Sequence, residues 1–212
     1  MHILFLDLGS NKGTLACVDD QSVVHLVTID HRIDDASLMG LIEKTVKDAG
    51  WSYQDLNRIA CVVGPGGFTS LRVGVATANA LADALEIPVC GIHLSDLYLA
   101  RSPHPALRAT FSLRGEGIGK SILWLHSTKK NELFIRGPDV SDPQCITLDQ
   151  LSAHLKKDGE WMGELIPDQK SIVEKAGMKE AALRPLADVL PAFLAKQDYK
   201  RQILQPWYGR GW

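Results

Sequence analysis

A glycine-rich segment in the first third of the chain is the strongest candidate for chemistry. Gly64-Pro65-Gly66-Gly67 follows a short apolar run and precedes a helical pattern that begins near Ser70. A helix that starts directly after such a turn presents free backbone N–H groups, and these groups can bind a phosphate. The same glycines are also typical of a tight strand-to-helix turn that needs positive φ. The segment alone leaves both interpretations open.

The helix that follows this turn is rich in small residues. Its glycine and alanines are Gly74, Ala76, Ala78, Ala80, Ala82 and Ala84. A glycine inside a helix costs about 1 kcal/mol relative to alanine, and close approach of another backbone would explain that cost. The approaching backbone could belong to the same domain or to a second protein, and the composition of the helix favours neither.

Two other kinds of chemistry have little support. The stretch from Gly115 to Ser121 resembles a P-loop, but Arg114 stands where the first glycine belongs, and a strand pattern follows where a P-loop needs a helix. No two histidines lie three or four residues apart, and the patterns H-E-x-x-H and G-x-S-x-G are absent. The sequence therefore predicts no catalytic residue and no metal site.

Hydrophobic periodicity predicts the elements that position these residues. In chain order the pattern predicts strands at 2–8, 14–18 and 22–29, a helix at 38–49, a strand at 59–63, a helix at 70–85, a strand at 89–92 and a short helix after Ser95. The first three strands form an antiparallel meander, because polar turns separate them. This β-β-β-α-β-α-β-α order is typical of the RNase-H-like unit of the actin, sugar-kinase and Hsp70 (ASKHA) superfamily.

The second half of the chain is less periodic. Its predicted elements are a hairpin formed by residues 121–126 and 133–136, a helix from Thr147 to Lys157 that starts with a capping box, and a helix at 186–197 that contains Pro191. The aromatic tail at 205–208 is expected to pack back on the protein. The fold class is therefore predicted as α/β of ASKHA type, with a domain at 1–103 and a smaller, less regular domain at 104–212.

The first predicted turn also bears on nucleotide chemistry. Asp7, Gly9 and Ser10 resemble the D-x-G-[ST] phosphate turn of active superfamily members. In those enzymes the nucleotide lies between two related domains that each supply a phosphate loop. No second D-x-G-[ST] pattern occurs after residue 105, so ATP hydrolysis by this chain alone is disfavoured.

Composition and charge are those of an ordinary globular protein. The 212 residues carry a net charge of −2, and 45% of them are hydrophobic. Residues 1–100 contain 6 Lys and Arg against 12 Asp and Glu, whereas residues 101–212 contain 17 against 13. Neither half is basic enough to predict nucleic-acid binding by this chain alone. The absence of a long apolar run and of a basic leader predicts a cytoplasmic protein without a membrane span.

The segment from Gly64 to Gly74 is similar to the signature G-P-G-S-F-T-G-[LV]-R-[VI]-G of the TsaB (YeaZ) family. Two positions differ, because Gly67 stands where the family has Ser and Ser70 where it has Gly. Weaker similarities lie in residues 130–134 and in the tail at 205–208. The similarity is strong over residues 1–100 and thin beyond them.

The resemblance implies a non-catalytic subunit of the bacterial machinery that places threonylcarbamoyl on tRNA adenosine (t6A). It implies a TsaD-like paralogue as the partner, bound through the helices at 36–49 and 70–85, and a TsaE-like ATPase that joins the pair. It implies only indirect contact with tRNA, no cofactor of its own, and ATP or ADP at the interface of the complex. A homodimer through the same helices is a further expectation. The alternative is a small actin-like ATPase or kinase that binds nucleotide by itself.

These expectations assign residues to two groups. The predicted partner-binding residues are Leu38, Leu41, Ile42, Thr45, Leu71, Arg72, Gly74, Val75, Ala78 and Ala82. The predicted phosphate-facing turn residues are Asp7, Gly9, Ser10, Gly64, Gly66 and Gly67.

Overall fold

The computed structural model describes residues 1–29, 35–103 and 122–209. Its strands are β1 (Ile3–Asp7), β2 (Gly13–Val18), β3 (Val23–Ile29), β4 (Arg58–Gly64), β5 (Val89–His93), β6 (Ile122–Lys129), β7 (Glu132–Gly137), β8 (Val140–Thr147), β9 (Glu160–Glu164) and β10 (Lys179–Glu180). Its helices are α1 (Asp35–Asp48), α2 (Phe68–Ala84), α3 (Leu94–Arg101), α4 (Leu148–Leu151), α5 (Pro167–Lys175) and α6 (Leu186–Leu194). None of the helices in these described ranges is long and apolar enough to cross a membrane.

The chain forms two compact units. The first contains Met1–Leu94 and Pro185–Tyr208, and the second lies within Ser95–Arg184. The prediction placed a single boundary at residue 103. In the structure the chain leaves the first unit after Leu94 and returns to it after Arg184. The possible P-loop at 115–121 lies outside the described residues.

The first unit is built on a five-stranded sheet with the order β3-β2-β1-β4-β5. β1 and β2 are antiparallel, as are β2 and β3, whereas β4 runs parallel to β1 and to β5. Every residue of β1 is buried, which is typical of a central strand that is covered on both faces. The predicted three-stranded meander and the alternating helices of this unit are therefore confirmed.

One face of this sheet carries α1 and α2. Leu4, Leu6 and Ile59 share a buried core cluster with Ile42 of α1 and Ala78 of α2. These residues recur at period two along the strands and at helical spacing along the helices, which is how side chains of both elements reach one layer. α6 packs near β3 of the same sheet.

The second unit is more regular than its sequence pattern indicates. Its sheet has the order β10-β9-β6-β7-β8, with β6 antiparallel to β7 and parallel to β9. β7 and β8 are antiparallel, and β9 and β10 are parallel. Strand order and directions thus repeat those of the first sheet, although the sequence pattern of this half is less regular.

Several elements of the second unit differ from the prediction. The hairpin is confirmed as β6 and β7, whereas β8, β9, β10 and α5 were not predicted. The capping box at Thr147 is present, since Gln150 Oε1 accepts a hydrogen bond from Thr147 N at 3.0 Å. The predicted helix to Lys157 is wrong, because α4 ends at Leu151, a 3-10 turn follows, and Asp158 takes a positive φ of 62° before β9.

Candidate functional site

The first candidate turn follows β1, and its acid is bonded within the turn. Asp7 is buried, and its Oδ1 accepts hydrogen bonds from the backbone N–H groups of Gly9 at 3.0 Å and Ser10 at 3.1 Å. Its Oδ2 accepts a hydrogen bond from Ser10 Oγ at 2.5 Å. Burial raises the pKa of the Asp7 carboxyl, and the bonds from Ser10 and Gly9 oppose that shift. The carboxyl group therefore shapes its own turn.

The second candidate turn, residues 64–67, packs directly on the first. Gly67 N donates a hydrogen bond to Gly9 O at 3.4 Å. A Cβ on Gly66 would lie 2.3 Å from Gly9 O, and a Cβ on Gly9 would lie 2.8 Å from Leu71 Cδ2. Two backbones thus meet without side chains between them. This contact explains Gly9 and Gly66 without a bound phosphate.

Gly64 contacts the end of the chain. Its φ is 148°, and a Cβ there would lie 2.1 Å from Trp207 O. Trp207 N donates a hydrogen bond to Val63 O at 2.7 Å, and the Trp207 ring meets the His93 ring edge-on at 4.5 Å. The expectation that the aromatic tail packs back on the protein is confirmed.

The tail belongs to a longer stretch, residues 199–208, which we call the C-terminal segment. Lys200 forms an antiparallel bridge with Val89 of β5. Farther along, Asn79 of α2 bonds both backbone groups of Leu204, with Nδ2 donating to O at 3.0 Å and Oδ1 accepting from N at 2.9 Å. The segment is therefore fixed along one side of α2.

Most of the predicted partner-binding side chains face the sheet. Those that the structure buries are Leu38, Ile42, Thr45, Leu71, Gly74, Val75, Ala78 and Ala82. Leu41 is half-buried and Arg72 is exposed. Helical periodicity marks the face of α1 and α2 that is covered, and here the sheet of the same unit covers it. Partner binding by these helices stays a prediction. The side chains of α1 and α2 that are exposed for such a contact are mostly different from the predicted ones.

The exposed face of α2 carries mainly small side chains. Its exposed residues along one line are Thr69, Arg72, Ala76, Ala80 and Asp83, which we call the α2 stripe. The spacing of three or four residues places them on one side of the helix. Alanines at the centre of such a stripe let a second helix approach closely. No pattern of apolar residues could identify this face, because it carries few apolar side chains.

An aromatic cluster marks the beginning of α2. Arg72 Cζ lies 4.1 Å from the centre of the Phe68 ring, and Arg72 Nε donates a hydrogen bond to Tyr208 Oη at 3.1 Å. The rings of Phe68 and Tyr208 are 5.0 Å apart, and Phe68 is still 51% exposed. The cluster holds the guanidinium group in one orientation and leaves an aromatic ring accessible.

The exposed face of α1 has a different chemistry. Lys47 Nζ lies 2.6 Å from Glu43 Oε1, and Lys44 pairs with Asp48. These charges are paired at i and i+4 within the helix, which leaves α1 nearly neutral in its last two turns. Met39, which is 43% exposed, is its accessible apolar side chain.

In the second unit, the β6–β7 turn takes the place that the β1–β2 turn has in the first. Gln169 is fully buried beneath it and donates hydrogen bonds from Nε2 to Lys129 O at 2.9 Å and Lys130 O at 3.0 Å. Ser127 Oγ donates a hydrogen bond to Gln169 Oε1 at 2.5 Å. A side chain of the protein thus bonds the carbonyl groups of this turn.

The described residues contain no group of three or more His, Cys, Asp or Glu that could hold a metal ion.

Comparison with known proteins gives one matching family model and several curated relatives. Residues 31–107 match the family model for TsaD, tRNA N6-adenosine threonylcarbamoyltransferase. The chain is 27% identical over 105 residues to the tRNA threonylcarbamoyladenosine biosynthesis protein TsaB of Bacillus subtilis, covering 49% of this chain and 46% of that protein. It is 28% identical over 92 residues to TsaB of Escherichia coli, covering 43% of this chain and 40% of that protein. By these matches the chain is similar to proteins of the TsaB (YeaZ) family.

A solved structure supports the fold over the full length. A Pseudomonas aeruginosa protein described as similar to the peptidase YeaZ matches with a TM-score of 0.70 and 16% identity over 99% of both chains. YeaZ from the same organism matches with a TM-score of 0.63 and 17% identity over 92% of this chain and 90% of that one. These likenesses confirm the ASKHA-type fold. In sequence, the chain spans about half the length of the curated TsaB relatives that it matches.

Proposed function

We propose that this chain is a non-catalytic subunit of tRNA threonylcarbamoyladenosine biosynthesis, which binds a TsaD-type transferase and supports its activity. Two relatives carry the name of that pathway, and residues 31–107 match the TsaD family model. Those residues include α1 and α2. A chain that is similar both to TsaB and to TsaD is suited to pair with a TsaD-like paralogue through a pseudo-symmetric helix contact.

The α2 stripe is the observation that carries the proposal. Ala76 and Ala80 are exposed at its centre, and neither contributes to the core of the unit. Small side chains at this position allow another helix to pack at short distance. The accessible Met39 and the internally paired charges of α1 add a neighbouring surface with little net charge. The two helices together would form one half of a four-helix contact.

The internal bonding of the turns supports a non-catalytic role. The Asp7 carboxyl group accepts hydrogen bonds from its own turn, and Gly66 packs on Gly9 where a phosphate would need space. The alternative of an independent ATPase or kinase has less support for this reason. A peptidase activity has no support from the sequence, which lacks a nucleophile elbow and a paired-histidine motif. In this proposal the TsaD-like partner supplies the chemistry, and ATP or ADP lies at the interface of the complex. A TsaE-like ATPase joins the pair, and the assembly binds tRNA.

Co-purification with the TsaD-type protein of the same organism tests the proposal. Ala76→Trp places a large side chain on the α2 stripe and should abolish the pair while the chain stays folded. Ala192→Trp is the matched control, because Ala192 is an exposed alanine on α6 of the same unit. Ala78, by contrast, is fully buried against the sheet, so a Trp there would disrupt the core before it reached any partner.

The outcomes separate clearly. A pair that forms with the unchanged chain and with Ala192→Trp, but not with Ala76→Trp, supports the proposal. No association of the unchanged chain at micromolar concentration contradicts it. Specific binding of Mg-ATP by the isolated chain, seen as a thermal shift that saturates with ligand, would favour the enzyme alternative.

A further inference from the structure

A groove of the first unit lies between the C-terminal end of α2 and the C-terminal segment. Ala82 and Ile87 line one wall and Ile203 lines the other, around a volume of about 290 Å³. Among the large apolar side chains of the described residues, Ile203 is the most exposed, at 77%. The groove is therefore an apolar recess that is open to solvent.

Two carboxylates stand at the rim of this groove, where they do not stabilise the fold. Asp83 lies in the last turn of α2, and Glu86 follows the helix. The dipole of a helix disfavours an anion at its C-terminal end. Both side chains are exposed, and neither forms a salt bridge with another described residue. Arg201 is the cation that lines the same groove, so the rim keeps a negative balance of charge.

Glu86 also has a backbone conformation that favours glycine. Its φ is 53°, and its N donates a hydrogen bond to Asp83 O at 3.1 Å, while Ile87 N donates to Ala82 O at 3.0 Å. This pair of bonds is the Schellman motif that ends a helix, in which the residue with positive φ is most often glycine. Arg201 Nη2 donates a hydrogen bond to Glu86 O at 2.6 Å and ties this turn to the C-terminal segment. A glutamate costs stability here, so the fold alone does not explain its carboxylate.

The C-terminal segment leaves backbone groups open beside the groove. Among the described residues, the backbone N–H and C=O groups of Gln202 and Ile203 have no hydrogen-bond partner, whereas those of Lys200 and Leu204 are paired. An extended peptide can bond such groups with its own backbone, but a helix has already used its backbone groups internally. A volume of this size also holds side chains of a partner and not a helix, whose diameter is about 10–12 Å.

We propose that this groove binds an extended peptide segment of a partner protein, which carries an aliphatic side chain next to a lysine or arginine. The aliphatic side chain packs on Ile87 and Ile203, and the cation pairs with Asp83 and Glu86 at the rim. The peptide backbone bonds the open groups of the C-terminal segment. The inference goes beyond the pairing with a TsaD-type protein, because the groove shares only Asp83 with the α2 stripe.

Selection of short random linear peptides, displayed on phage, against the immobilised full chain tests this site. The peptides that bind should carry a lysine or arginine beside a leucine, isoleucine or valine. A fluorescein-labelled copy of a selected peptide then gives the dissociation constant by fluorescence polarisation. Ile203→Asp, Asp83→Lys and Glu86→Gly should each raise this constant at least about tenfold, and added salt should weaken binding to the unchanged chain.

Two of these variants separate peptide binding from stability. Glu86→Gly relieves the positive φ, and both Glu86→Gly and Asp83→Lys remove an anion from the C-terminal end of α2. Each should therefore raise the melting temperature, measured by circular dichroism, while it weakens peptide binding. A loss of binding in these variants then does not come from unfolding.

The controls change similar side chains outside the groove. Ile172→Asp alters an exposed isoleucine of α5, and Asp142→Lys reverses an exposed charge of β8. Both should leave the dissociation constant unchanged. A selection that yields no binding peptide would overturn the proposal. So would selected peptides that lack the basic and aliphatic pattern, or peptides that bind all three groove variants as tightly as the unchanged chain.

Discussion

The carbonyl oxygen of Gly9 lies 2.3 Å from the position that a Cβ on Gly66 would occupy. The two turns that sequence patterns identify as candidates for phosphate binding therefore contact each other through bare backbone. Gly67, the next residue, differs, because the nearest atom to a Cβ added there would be Ser70 Oγ at 3.6 Å. Gly66 is therefore required by the close contact with the backbone of Gly9, whereas the structure has space for a side chain at position 67.

Gly66→Ala should destabilise the protein by about 1–3 kcal/mol, since the added methyl group forces the two backbones apart. Urea unfolding measures the change in free energy. Gly67→Ser is the matched control, because Gly67 is the N-cap of α2 and Gly and Ser both suit that position. It should change the free energy of unfolding by less than about 0.5 kcal/mol. Equal effects of Gly66→Ala and Gly67→Ser would contradict this account.

The second unit depends on one buried amide. Gln169 accepts a hydrogen bond from Ser127 and donates to the carbonyl groups of Lys129 and Lys130. Gln169→Leu should destabilise the protein by about 1–3 kcal/mol, because it leaves the buried Ser127 hydroxyl and the two turn carbonyl groups without this side-chain partner. Thermal and urea unfolding measure the loss. Gln144→Leu, at an exposed position of β8, should have little effect, and similar losses in the two variants would show that the amide bonds are not the cause.

The first unit could be predicted from sequence because its hydrophobic residues recur at regular strand or helix spacing. β1 is a continuous apolar run, and α1 ends at Asp48 shortly before Gly50, whose φ of 76° suits glycine just beyond a helix. The second unit lacks such signals. β8 contains Ser141, Asp142 and Pro143, since a strand at the edge of a sheet tolerates polar residues and proline.

The sequence locates the candidate site on α2, but it does not show which face of the helix is exposed. Periodicity correctly finds that one face of α2 is covered, yet it does not say whether a sheet or a partner covers it. The buried Ala78 and the exposed Ala76 look alike in the sequence, and only the fold distinguishes them. The contact between Gly9 and Gly66 joins residues that are distant in the chain, so no local pattern could predict it.

Asn79 fixes the C-terminal segment to α2, and its removal should loosen that segment. Asn79→Ala leaves both backbone groups of Leu204 without their side-chain partner. We expect a loss of about 1–3 kcal/mol and faster amide hydrogen exchange across residues 200–208. Hydrogen exchange followed by mass spectrometry measures the local effect. Thr77→Ala on the same helix is the control, and unchanged exchange in Asn79→Ala would show that Trp207 and Lys200 suffice to hold the segment.

The raised pKa of Asp7 predicts how stability changes with pH. Because burial favours the protonated acid in the folded state, the stability that Asp7 contributes is present in full below its ordinary pKa of 3.8 and is lost as pH rises through the raised folded value. Asp7→Asn stays neutral and can keep the bonds that Oδ1 accepts from Gly9 and Ser10. The variant should therefore gain stability over the unchanged chain as pH rises from about 4 toward 7.

Urea unfolding at a series of pH values measures this difference between Asp7→Asn and the unchanged chain. Asp149→Asn, at an exposed position of α4, is the control and should follow the curve of the unchanged chain throughout. If Asp7→Asn is instead less stable at pH 7 than at pH 4 relative to the unchanged chain, the ionised carboxylate stabilises its turn. The hydrogen bonds from Gly9 and Ser10 would then outweigh the cost of burying the charge.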